Sequence, residues 1–253
     1  MAEHTGMWRR TGRRILPGAV LALFSVLLFS SCAPQGSRPT PAPVALEVSP
    51  EFPDVDYRQA ALRGEAVYRI EPERSLVAIE VRRGGPLARL GHDHVVSSRS
   101  VQGYVTLGLR RADLVVALDR LMVDDPGLRK AAGFDTQPSA ADIEATRVNM
   151  LDRVLQLERH PRLLVQVRQA SGAVAGAGAG AAMEAAIVLN GVTRRVQLPV
   201  QLDVDKESIT ARGTFSVLQS DFGISPFSIL GGAIAVQDRL SVRFELRGKR
   251  FAP

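Results

Sequence analysis

Cysteine is almost missing from this chain: Cys32 is the only one in 253 residues. No internal disulfide can brace it, so the folded part must be held by core burial alone. Histidine is nearly as scarce, with His4, His92, His94 and His160. A metal centre of three or four protein ligands would therefore have to recruit carboxylates. Aromatic residues make up only 5% of the chain, and no aromatic-studded basic stripe of the kind that binds nucleic acid is present. There is no G-x-S-x-G elbow and no glycine-rich phosphate loop behind a strand. Gly231-Gly232 precedes a strand pattern and reads as a turn. Catalysis is not indicated.

What is present begins with Arg9, Arg10, Arg13 and Arg14, followed by an apolar run from Ile15 to Phe29. This is a charged head and an apolar stretch of signal-peptide length, shorter than a comfortable membrane span. Ser30-Ser31-Cys32 closes it. Small residues directly before a cysteine resemble the lipobox of bacterial lipoproteins, although Phe29 stands where leucine is usual. The resemblance implies diacylglyceryl transfer to the Cys32 thiol, cleavage before it, and acylation of the new amino terminus. An uncleaved anchor or an ordinary secretory signal is the alternative, and Arg13-Arg14-Ile15-Leu16 leaves a twin-arginine route open. Each reading puts the rest of the chain outside the cytoplasm. Ala33, where an inner-membrane retention signal would show Asp, implies by the same resemblance the periplasmic face of the outer membrane. Residues 1–31 carry a net +3 of the chain's formal +6, so the remainder is only mildly basic.

Residues 32–63 hold Pro34, Pro39, Pro41, Pro43, Pro50 and Pro53 among small and polar residues. Proline removes backbone donors and favours extended conformations, so this stretch reads as a semi-rigid tether. A single domain follows over 64–250. Along Val192–Val204 the even positions are apolar except Arg194, and the odd ones are polar or proline. Side chains alternate between the faces of a strand, so this is one long strand with an apolar and a wet face. Pro199 on the wet register predicts an edge or a bulge. Leu240, Val242, Phe244 and Leu246 repeat the alternation, as do Val77, Ile79 and Val81, and Leu163, Val165 and Val167. Leu114–Leu118 reads as a strand with apolar residues on both faces. Ala140–Glu158 places Ile143, Val148, Leu151, Val154 and Leu155 at helical spacing, with Ser139 as cap and Pro161 beyond the end. The small-residue run 172–182 reads as a hairpin connection. Strands with one greasy face must stack or close, giving a sandwich or an antiparallel barrel.

Five fragments carry a family resemblance: Arg147–Asp152, His160-Pro161, Leu189–Arg194 leading to Leu198-Pro199-Val200, Gln219–Ile224, and Val236–Leu240. In order and spacing they resemble the YceI family of lipid- and polyisoprenoid-binding bacterial proteins. The resemblance implies a mainly β fold, an extended antiparallel lipocalin-like barrel of about eight strands with one flanking α-helix. It also implies non-covalent binding of an isoprenoid-type lipid, a quinone among the candidates, in an apolar tunnel. The family's usual histidine-serine pair is replaced here by Glu73-Arg74-Ser75, and its later histidine by Arg82-Arg83-Gly84. The chain carries Gly91-His92-Asp93-His94 instead, which resembles a subgroup of the family.

Val196, Leu198, Val200, Leu202, Val242, Phe244 and Leu246 are the candidates for inward-facing, ligand-binding residues. Two residues apart on a strand, His92 and His94 point to one side about 6.5 Å apart along the chain. They are the candidate polar end of the site, orienting a loop or a head group. Three functions stay in view. One is a lipid-anchored carrier of an isoprenoid lipid, partnered by that lipid and by the membrane but not by nucleic acid. The second is a metal- or haem-linked redox protein using His92, His94 and His160, with Asp93, Asp152 or Asp221 in support. The third is a solid-core envelope lipoprotein acting through its surface. No cofactor and no metal is assigned.

Overall fold

The computed structural model describes residues 53–108, 110–169 and 181–253. The leader, Cys32, most of the tether and most of the 172–182 connection lie outside them. The chain runs in order through α1 (Asp54–Leu62), β1 (Val67–Ile70), β2 (Leu76–Val81), β3 (Arg83–Gly84), β4 (His94–Ser98), β5 (Gln102–Thr106), β6 (Arg111–Ala117) and β7 (Met122–Val123). Helices α2 (Pro126–Ala131) and α3 (Ala140–Asn149) follow, then β8 (Arg162–Gln169), β9 (Ala181–Leu189), β10 (Val192–Val204) and β11 (Ser208–Leu218). The last strands are β12 (Ser228–Ile229), β13 (Ile234–Val236) and β14 (Arg239–Arg250).

Eight antiparallel strands close into a barrel in the order β1-β5-β6-β8-β9-β10-β11-β14, with β14 pairing back to β1. Closure removes the exposed edges that alternating strands would otherwise present. Beyond a break, β2, β4 and β7 continue the lines of β1, β5 and β6: β14 pairs with β1 at 248–250 and with β2 at 241–245. Ser75 stitches the first break. Its hydroxyl donates to Glu71 O (2.8 Å) and accepts from Arg247 N (3.1 Å), replacing a missing ladder bond. The β10–β11 ladder stops at Gln201↔Arg212, just short of Pro199, which has no N–H to donate. A separate small sheet, β12-β13-β3, sits where β14 begins.

The apolar faces read from the sequence turn inward. Leu114, Val116, Ile187, Leu198, Val200 and Leu246 belong to the buried core, with Phe244 and Val196 packed against it. The flanking helix is shorter than its 140–158 reading. α3 ends at Asn149 and passes into a π-helical turn over Met150–Val154, which shifts the phase of the stripe; Leu151 and Leu155 are buried, but Val148 is exposed. Ser139 caps α3 in a full capping box with Asp142.

The tether gives way before residue 63. Residues 54–62 form α1, whose Tyr57 and Ala60 are buried with Val67 and Tyr104 against the outer face of the barrel. Tyr57 stacks on Tyr104 with ring centroids 5.1 Å apart and donates from its hydroxyl to Asp113 Oδ2 at 2.6 Å. Two acidic residues in the first turn complement the helix dipole. Packing against the barrel thus outweighs the proline-rich composition around the helix.

Candidate functional site

The barrel is hollow along much of its length. A cavity of about 830 Å³ lies inside it, at the large end of the roughly 300–1,000 Å³ of small-molecule sites. Ile209, Ala211, Phe215 and Val217 of β11 all line it. Eight residue steps at about 3.3 Å each make that wall about 26 Å long. Aliphatic side chains dominate the surface, because each of the eight strands of the closed barrel contributes apolar residues from its inward side. Gly213 faces Phe244 across the ladder. An added Cβ there would stand 2.6 Å from the Phe244 ring and 2.4 Å from Pro199 O, so the missing side chain lets that ring lie against β11.

Of the nine ligand-site residues read from the sequence, Leu198, Val200, Leu202, Val242, Phe244, Leu246, His92 and His94 lie on the cavity wall. Leu202 does so from an exposed position near the β10–β11 turn, where the barrel ends. Val196 does not line the cavity. It packs against the core opposite Ala185, which is fully buried and likewise off the lining. The sequence did not single out the wall from β1, β2 and β6, nor Met150, Val154 and Leu155 from the helical side.

At the end of the cavity near β4 stands a polar rim. The rings of His92 and His94 lie edge to face with centroids 6.2 Å apart. His94 Nδ1 is 2.6 Å from Asp124 Oδ2, while Asp124 Oδ1 accepts from Val95 N (3.0 Å) and from the Arg129 guanidinium (2.6 Å). Asp124 and Arg129 are both buried. Burial pushes the Asp124 carboxyl up, but the bonds from His94, Val95 N and Arg129 outweigh it and hold the group below the ordinary carboxylate range. Its neighbour Asp93 faces the other way, accepting from Arg83 N at 2.8 Å. Asp142 reaches the same rim. The Ser139 hydroxyl and backbone N–H, and the nearby His92 and His94, hold it below the usual range.

An ionised Asp124 only accepts, so whenever His94 is in its neutral form the proton sits on Nδ1 and Nε2 is left as an acceptor. The rim is therefore suited to a ligand that ends in a hydroxyl. His92 Nδ1 is buried with no hydrogen-bond partner. No group of three or more His, Cys, Asp or Glu side chains set to hold a metal ion occurs among the described residues. His160 packs instead against Gly191, its Cε1 3.2 Å from where a Cβ would stand. Asp124 and Arg129 carried no sequence signal tying them to the histidines.

The YceI-like domain family matches residues 68–247. The chain belongs to the YceI-like family. Among solved structures, a polyisoprenoid-binding domain from Saccharophagus degradans, implicated in plant cell wall breakdown, shares 16% identity at a TM-score of 0.50. The match covers 74% of this chain and 99% of that one. BcnA of Burkholderia cenocepacia shares 12% identity over 70% of this chain and 98% of its own, at a TM-score of 0.48. A Campylobacter jejuni YceI protein matches at 12% identity over 56% and 73%, with a TM-score of 0.38. No curated protein sequence matches the chain. The barrel fold is thus shared with the Saccharophagus degradans domain at an identity too low to carry a ligand across.

Proposed function

We propose that this YceI-like barrel binds a single isoprenoid-type lipid, a quinol or prenol among the candidates, and does so outside the cytoplasm on a lipid anchor at Cys32. The observation that carries the reading is the long aliphatic hollow with the histidine rim at one end. Each CH₂ taken out of water contributes about 0.8 kcal/mol, so a five-carbon isoprene unit gains on the order of 3–4 kcal/mol before the costs of binding. Such a ligand needs few polar contacts, and the wall offers few. Leu198, Val200, Leu202, Val242, Phe244 and Leu246 serve the tail, while His92 and His94 meet the polar head. The description of the Saccharophagus degradans domain as polyisoprenoid-binding supports the same class of cargo. Binding rather than catalysis fits a site whose wall is mostly aliphatic, with its polar groups few and spread towards the two ends.

Purifying the full chain in mild detergent and extracting it with organic solvent tests the cargo. A lipid of several hundred daltons at about one per chain is expected, and protein from a lipid-replete host that repeatedly yields none would refute it. Metabolic labelling with palmitate tests the anchor: label is expected on the wild type and none on Cys32→Ala. Equal labelling of both would refute the anchor alone.

A further inference from the structure

The barrel end that holds the histidine rim also carries an apolar lip. Two segments build it: residues 85–91, and the β12–β13 hairpin with its turn at Leu230–Gly232. They are joined by Leu87 N donating to Ala233 O (2.8 Å), and Gly91 packs against Ile234. Leu90, Ile229 and Leu230 project from this lip with 57%, 46% and 70% of their surface exposed. Leu90, Ile229 and Ile234 also line the cavity, so the outer apolar surface runs into the inner one. Leu230 has φ +52, a left-handed conformation that costs a bulky residue of order 1–3 kcal/mol. An apolar side chain held outward at such a cost calls for a partner.

We infer that this lip is a membrane-docking surface: Leu90, Ile229 and Leu230 insert into the interface of a lipid bilayer and bring the cavity mouth against it. The inference rests on the isoprenoid-lipid reading for its cargo, since such a lipid resides in a bilayer. The charge pattern favours a membrane over the rest of the barrel surface. Residues 225–237 contain no charged side chain, and the other segment contributes only Arg89, which suits anionic head groups. The opposite end of the barrel also exposes Leu202 and Val204, but sets Asp203, Asp205 and Glu207 beside them. Lys206, Arg110, Arg111 and Arg250 add cations at that end, so its exposed apolar residues stand among charges of both signs and lack the uncharged surround of the lip.

The test places the chain's sole tryptophan on the lip: Trp8→Phe with Leu230→Trp in the full chain, mixed with phosphatidylethanolamine–phosphatidylglycerol vesicles. An apolar leader can hold the chain on vesicles by itself, so the indole at position 230 is read rather than total binding. Its emission should shift to the blue and lose at least half its intensity when the acyl chains are brominated. With Lys206→Trp in place of Leu230→Trp, emission should not change. No quenching at 230, or equal quenching at both positions, overturns the docking surface. Leu230→Asp supplies the second arm, since an exposed Asp is tolerated in the left-handed conformation and should not lower thermal stability. Transfer of geranylgeraniol between vesicles should slow at least tenfold while the amount bound at equilibrium stays the same; an unchanged transfer rate overturns the inference. Geranylgeraniol uptake without quenching at 230 leaves the cargo and removes the docking surface, pointing to hand-off by a protein. Quenching without uptake keeps the docking surface and removes the cargo.

Discussion

Ala211 and Ala185 offer a sharp test of whether the barrel is hollow. Both are small side chains on the apolar face of their strands, but Ala211 lines the cavity and Ala185 is fully buried off it. Ala211→Phe adds a six-carbon ring to space that the protein leaves empty. Stability should not fall, and burial of the ring contributes up to about 2 kcal/mol. Ala185→Phe forces the same ring into filled space, where overpacking costs about 1–3 kcal/mol or more. The ring at 211 displaces about one isoprene unit, worth on the order of 3–4 kcal/mol gross. Even partial accommodation should leave at least a tenfold loss of affinity, about 1.4 kcal/mol. Denaturant unfolding of the two variants and a geranylgeraniol titration of Ala211→Phe read both effects. If Ala211→Phe destabilises the chain as much as Ala185→Phe and leaves binding unchanged, the hollow-barrel reasoning is refuted.

The histidine rim makes a further prediction. His94→Ala should weaken geranylgeraniol by several-fold and leave its acetate ester, which cannot donate to Nε2, unaffected; equal losses for both ligands in a titration would contradict the donor–acceptor assignment. Asp124→Asn leaves the buried Arg129 guanidinium without its counter-charge and should cost about 3–5 kcal/mol in denaturant unfolding. Asp124 also sets a pH dependence. Its folded pKa lies below the ordinary 3.8, so its contribution is present above about that pH and is lost as the pH falls through the folded value. Thermal unfolding followed from pH 7 to pH 3 should show the wild type losing stability near the acid end, with Asp124→Asn flatter there. Tyr57→Phe deprives Asp113 of a buried donor at a cost of about 1–3 kcal/mol. Amide exchange should show residues 54–62 opening more readily while β9–β11 keep their protection.

How much of this was legible in the sequence follows from the range of each interaction. Strand faces were legible because alternation is local: Leu198, Val200, Val242, Phe244 and Leu246 face inward as the period-two pattern requires. So was the interruption at Pro199, whose missing donor is a property of one residue. Where the interior empties and where it fills was not legible. Val196 and Leu198 read alike, and only the register opposite Ala185 separates them. α1 was hidden by the proline-rich composition around it, and its anchor Asp113 lies 56 residues away. The partner of His94 is 30 residues distant, on a residue with left-handed backbone at φ +59, and no local pattern joins them. Long-range polar pairs of this kind are set by the closed barrel, not by any window of sequence.

Isothermal titration of the lipid-stripped chain with geranylgeraniol addresses the cargo most directly. One molecule should bind per barrel, with the negative heat-capacity change that burial of apolar surface brings. Heats no larger than dilution across the temperature range would mean that the interior takes no such guest.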